Sequence, residues 1–114
     1  MVDRPLSWVG TSLADVQTFP EEARRATGYQ LRRVQQGLMP TDWKPMSSVG
    51  TGVVEIRIRG QREHRVLYIA RFSEAIYVLH AFEKKSQKTR KTDIEMARGR
   101  LRELEALRPT EKEA

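Results

Sequence analysis

The sequence predicts an α+β fold in which N-terminal helices pack on a small, mostly antiparallel sheet and a further helix closes the domain. Three observations carry this. Apolar residues recur at helical spacing from Ser12 to Gln36, alternation of period two takes over from Val53 to Phe82, and helical spacing returns from Thr92 to Leu107. The chain has 114 residues, enough for one domain with a modest core. Residues 1–108 are read as that domain and 109–114, ending in Thr110, Glu111, Lys112 and Glu113, as a flexible tail.

Taken in order, Pro5 to Val9 has the bulk of an edge strand in Leu6, Trp8 and Val9, and a proline is tolerated at a strand's first position. Gly10 ends it. Ser12 with Asp15 three residues on marks a helix start, with Leu13, Val16 and Phe19 as its apolar stripe. Pro20 fits the first position of a second helix, and Glu21 and Glu22 lie near the positive end of its dipole. That helix is expected to run to Gln36, turning Ala23, Ala26 or Thr27, Leu31 and Val34 inward and Arg24, Arg25, Arg32 and Arg33 outward, with Gly37 as its cap. Met39 to Gly52 holds Pro40, Pro45, Gly50 and Gly52 and reads as an ordered loop pinned by Trp43 and Met46.

From Val53 the pattern becomes that of strands. Val54, Ile56 and Ile58 share one face, and Glu55, Arg57 and Arg59 the other. His64 to Phe72 is apolar on both faces, as a central strand requires; Ser73 and Glu74 turn the chain; Ala75 to Phe82 completes a three-strand meander. A three-residue loop, Gly60 to Arg62, would pair Arg57 with Arg65 across the first hairpin. The last helix opens at Thr92 or Asp93 and presents Ile94, Ala97, Leu101, Leu104 and Leu107 on one side, slightly weakened by Gly99.

Charge is the most informative compositional feature. Five of the eight residues from Lys84 to Lys91 are basic, with no acid among them. From Lys84 to Arg102 eight basic residues face only Asp93 and Glu95, an excess of six that equals the formal net charge of +6 for the whole chain. Such a local excess is the footprint of a surface that meets a polyanion, most often nucleic acid. Zero cysteines exclude disulfides, zinc–thiolate sites and thiol catalysis, and suit a reducing cytoplasm. His64 and His80 lack metal-ligand spacing, and no segment approaches the roughly 18 apolar residues of a membrane span. A cytoplasmic protein without metal, cofactor or membrane association is expected.

The order of elements, together with Val53-Val54-Glu55-Ile56-Arg57, His64-Arg65-Val66-Leu67-Tyr68 and His80-Ala81-Phe82-Glu83-Lys84-Lys85, resembles the phage-related HigB-like branch of the RelE toxin superfamily, from Pro5 to Leu107. The resemblance implies a toxin of a type II toxin–antitoxin pair that cleaves messenger RNA in the ribosomal decoding site and is silenced by an antitoxin, often one with a helix-turn-helix domain. It also implies roles by position. Arg57 matches a basic active-site residue, Arg65 the arginine that grips the phosphate near the scissile bond, and Lys84 and Lys85 a charge-stabilising residue at the strand end. Glu55 stands where the best-known RelE proteins have lysine, and their C-terminal base-stacking tyrosine has no counterpart after Tyr77.

The chemistry asks for these residue types. RNA can be cut by its own 2′-hydroxyl, which needs only alignment, deprotonation and stabilisation of charge on the phosphate. Arg57 and Arg65 could hold phosphate oxygens and Lys84 or Lys85 could offset developing charge. His80, or Glu55 or Glu83 if buried beside the arginines, could move the proton. Phe82 could stack on a base, and Lys88, Arg90 and Lys91 could track the phosphates. Each also has a plain structural use: Arg57 as a surface ion-pair partner of Glu55 or Glu63, His80 as a core histidine beside Ile76 and Val78, Phe82 as packing for the last helix. The reading is a metal-independent, ribosome-dependent endoribonuclease held inactive by an antitoxin. The alternative is a phage-derived module that kept the fold and binds nucleic acid or protein without catalysis.

Overall fold

The computed structural model describes residues 3–108, so the expected tail at 109–114 lies outside it. Its elements are β1 (Leu6–Trp8), α1 (Ser12–Gln17), α2 (Glu21–Gln35), β2 (Trp43–Pro45), β3 (Val53–Ile58), β4 (Glu63–Ile69), β5 (Ile76–Lys84) and α3 (Lys91–Leu107). One five-stranded sheet has the order β1-β5-β4-β3-β2, antiparallel except where β1 runs parallel to β5. The α+β architecture is as expected, compatible with a RelE-like fold, and β4 is the central strand.

The sheet is covered on both faces. On one, α1, α2 and the turn between them press Val16, Phe19, Leu31 and Val34 onto Ile56, Ile58, Val66, Tyr68, Ile76, Val78 and Ala81. On the other, Ala97, Leu101 and Leu104 of α3 meet Val53, Leu67, Ile69, Phe72 and Leu79, with Met46 and Val49 closing the side. Each aliphatic side chain so buried contributes about 1.5–3 kcal/mol. Gly37, at φ +88°, ends α2 as the sequence suggested: its N–H donates to Val34 and that of Leu38 to Arg33.

Several local expectations are corrected. Residues 43–45, read as loop, form an edge strand on β3, where Pro45 can sit because its side of the ladder is the sheet's margin. Trp43 stays 40% exposed, and it is Met46 that is buried. The strand predicted to reach Phe72 ends at Ile69, because the Arg4 guanidinium donates to the carbonyls of Ala70 and Phe72 at 2.7 and 2.8 Å and draws that backbone out of the ladder. Leu13 and Leu107, expected on apolar faces, are exposed.

The correction that matters most for function is a bulge. Leu67 pairs with His80 and Tyr68 with Val78, so Leu79 is an extra residue in β5. His80 was expected beside Ile76 and Val78; past the bulge it lies instead on the α3 face, in line with Leu67 and Glu55.

Candidate functional site

Strand register brings the cationic residues together before any side chain is considered. Arg57 of β3 pairs with Arg65 of β4, and Arg65 pairs with Phe82 of β5, so the three form one row across the α3 face. The next row is Glu63 and Lys84; the preceding one is Lys44 of β2, Glu55, Leu67 and His80. Because side chains alternate in period two, these rows share one face. Arg57, Arg65 and Lys84, the three positions on which the proposed chemistry depends, therefore do not scatter over separate surfaces.

Arg65 is the buried centre of this group, with 4% of its side chain exposed. Its Nη2 donates to Glu63 Oε1 at 3.0 Å, its Nη1 to the His64 carbonyl at 3.3 Å, and its Nε faces Glu55 Oε1 at 3.5 Å without a hydrogen bond. Glu55 is fully buried, has Lys44 Nζ at 3.8 Å, and accepts a 3.1 Å hydrogen bond at Oε2 from Thr89 Oγ1, leaving Oε1 without one. Arg57 lies 3.7 Å from Asp42, which also holds Arg59 at 2.5 Å, and its Nε is buried without a partner. Buried guanidinium N–H groups with unused capacity, next to one buried carboxylate oxygen in the same condition, suit an anionic ligand bearing a donor hydroxyl.

Charge in this cluster is tightly coupled. Burial, then the nearby Arg65 and Lys44, lower the Lys84 ammonium below the usual lysine range, while Glu55 and Glu63 pull it back up. Glu63 is held below the usual carboxylate range, chiefly by the hydrogen bond from Arg65.

His80 is held at both ring nitrogens. Its Nε2 is 2.8 Å from Asp93 Oδ1 and its Nδ1 3.3 Å from Arg100 Nη1. A guanidinium can only donate, so Nδ1 accepts and the proton on Nε2 points at Asp93. The ring also stacks on Phe82 at 5.2 Å. Arg100, which the sequence reading left among the charges of the last helix, is 7% exposed and also donates to the Leu79 carbonyl and to Thr11. Gly10, at φ +58°, is what makes room: a Cβ there would stand 2.5 Å from Arg100 Nε. The signal available in the sequence was spacing, since Arg100 falls on the stripe of Ala97, Leu101 and Leu104.

Lys85, Lys88 and Arg90, in the segment that joins β5 to α3, and Lys91, the first residue of α3, are exposed, and none forms an ion pair among the described residues. They are not part of the buried cluster; they flank it, because Thr89 in their midst reaches Glu55. Lys44 and Thr89 were missed as site residues, the first because β2 read as loop and the second because a threonine between cations carries no signal by itself. A cleft of about 350 Å³ lies elsewhere, between Ala23 and Ala26 of α2 and the β3–β4 hairpin, with Arg59, Arg62 and His64 in its lining. His64 there packs on Phe19 at 4.3 Å, and burial lowers its pKa below the usual histidine value.

Residues 14–102 match the family described as phage derived protein Gp49-like. The chain belongs to that family. The matched span runs from α1 into the last turns of α3 and so contains every strand of the cationic face. No curated protein matches the chain. Gp49-like proteins group with phage-derived toxins resembling RelE and ParE, which agrees with the superfamily level of the sequence reading. Among the described residues of this Gp49-like chain, no helix is long and apolar enough to cross a membrane.

Proposed function

We propose that this Gp49-like protein is a HigB-like toxin of a type II toxin–antitoxin pair, a ribosome-dependent messenger RNA endoribonuclease that needs no metal and is held inactive by a protein antitoxin of helix-turn-helix type. The observation that carries the reading is the row Arg57, Arg65 and Phe82 with Lys84 beside it, in which two buried arginine Nε groups lack partners. A phosphodiester in this row meets two guanidinium groups, and its attacking 2′-hydroxyl is already tethered next to the phosphorus. Attack forms the O2′–P bond and breaks the P–O5′ bond, leaving a 2′,3′-cyclic phosphate and a 5′-hydroxyl. Phe82 offers an aromatic face to a neighbouring base. His80, engaged on both nitrogens, serves to hold α3 against β5. The site of action is the cytoplasm.

The test is induction of the chain alone. Growth arrest with codon-phased cuts in translated messages is expected, relieved by Arg57→Ala. Unaltered growth and intact transcripts, with the protein folded and abundant, would sink the nuclease and leave the non-catalytic binding module in its place.

A further inference from the structure

Thr89 is the one residue of the basic segment whose side chain reaches into the cluster. Its hydroxyl donates to Glu55 Oε2 at 3.1 Å across 34 positions of sequence, while the adjoining Lys88 and Arg90 remain exposed. The segment is otherwise braced from within, Ser86 Oγ donating to the Lys88 carbonyl at 2.7 Å, and it gains helical structure only from Lys91. Glu55 is fixed on the other side by strand pairing and by Lys44 and Arg65. A single hydroxyl therefore joins a rigid, buried carboxylate to a string of exposed cations.

We infer that Thr89 and Glu55 form a clasp that sets the basic segment at the rim of the arginine pocket, so that Lys85, Lys88, Arg90 and Lys91 contact the same RNA strand whose phosphate enters the pocket. Thr89 is a positioning residue: it acts through the placement of the cations and through the orientation of Glu55, whose second oxygen it leaves unoccupied. The inference rests on the RNA-directed reading above. It adds that the number of phosphates bound at once depends on a neutral hydroxyl as well as on charge.

Salt dependence reads that number directly, because each phosphate contact on a single strand adds about 0.7 to the slope of log K against log salt. The probe is a fluorescent, uncleavable 2′-O-methyl RNA of twelve nucleotides, titrated against the purified full chain without ribosomes. Thr89→Val keeps the shape and removes the hydroxyl; its slope is expected to be smaller by about 1.5–3, two to four phosphates lost, with affinity at low salt at least tenfold weaker. Thr89→Ser is expected to restore both. Ser86→Ala, which breaks only the internal brace, should leave the slope unchanged. Should valine at 89 fail to fold, Thr89→Ala carries the same expectation, and amide hydrogen exchange on the unsubstituted protein, with residues 86–90 protected relative to the hairpin tip at 60–62, supplies a reading without substitution. An unchanged slope in the folded variant, a serine that fails to restore it, or an unprotected segment overturns the clasp while RNA binding itself persists. A wild-type protein that does not bind the probe at any salt overturns the clasp and the RNA reading together.

Discussion

Arg65 is held between two carboxylates, Glu63 at 3.0 Å and Glu55 at 3.5 Å, and only the first of them has access to solvent. Removing the guanidinium leaves the second, fully buried, with only Lys44 at 3.8 Å and the Thr89 hydroxyl to offset its charge, a loss bounded by the about 3–5 kcal/mol of a buried pair broken on one side. Arg65→Ala is thus expected to lower stability as well as activity, and adding Glu55→Gln should recover much of the lost stability in denaturant titrations. The cleaner probe of chemistry is Arg57, whose side chain is 29% exposed and whose acid partner is a half-exposed Asp42. Arg57→Ala is expected to lower the free energy of unfolding by less than about 1 kcal/mol. Its effect on cleavage should be larger, slowing single-turnover cutting by about 10²–10³ as loss of one charge-stabilising donor does. The pairing of Arg57 with Arg65 was legible because hairpin loop length fixes register. The burial of Arg65 against Glu55 was only half visible: a charged residue in a run fit for burial flags a partner without naming it.

At the scale of elements, α3 is fastened at both ends by side-chain hydrogen bonds. Near its start Asp93 meets His80, and at its end Arg108 meets Glu74 at 2.6 Å on the turn before β5, with Tyr77 adding a 2.8 Å hydrogen bond. The hydrogen bond from Arg108, then that from Tyr77, brings the Glu74 carboxyl down from 4.5 to about 2. A folded-state pKa below the unfolded one means that this tie stabilises fully above pH 4.5 and is lost as pH falls toward 2. Since 42% of the Glu74 side chain is exposed, solvent screening limits the contribution to about 1 kcal/mol. The stability gap between wild type and Glu74→Gln, followed by denaturant unfolding, is expected to close across that interval. Helix and meander were readable because their periodicities persist over many residues. The strand at Trp43 to Pro45 was not, since three residues between prolines and glycines carry no period, and its pairing comes from β3. The bulge escaped for the opposite reason: Ile76 to Phe82 is apolar on both sides, so the sequence reads through it unchanged.

Of the whole molecule's positive charge, the part on the α3 face is divided between a buried cluster matched by Glu55 and Glu63 and an exposed segment with no matching acids. The first is part of the fold; the second is not. Replacing Lys85, Lys88, Arg90 and Lys91 together by glutamine is therefore expected to leave the melting temperature nearly unchanged, as surface substitutions do. The same change should weaken RNA binding more than tenfold at low ionic strength, with the difference vanishing at high salt. Equal binding at both salt concentrations would assign the segment to some other contact.

Leu79 sets one further constraint on how this chain can vary. By occupying a place with no opposite number, it puts the two halves of β5 out of phase, so that Ile76 and Val78 belong to the helical pair while His80, Phe82 and Lys84 turn toward the arginines. Pairing that leucine into the ladder, with Leu79 opposite Leu67 and His80 opposite Val66, would exchange the two sides of the strand's outer half, offering Ala81 and Glu83 where an aromatic ring and an ammonium now stand. Among Gp49-like sequences that keep these arginines, single-residue insertions and deletions should be excluded between His80 and Lys84, where each would turn Phe82 or Lys84 to the other face.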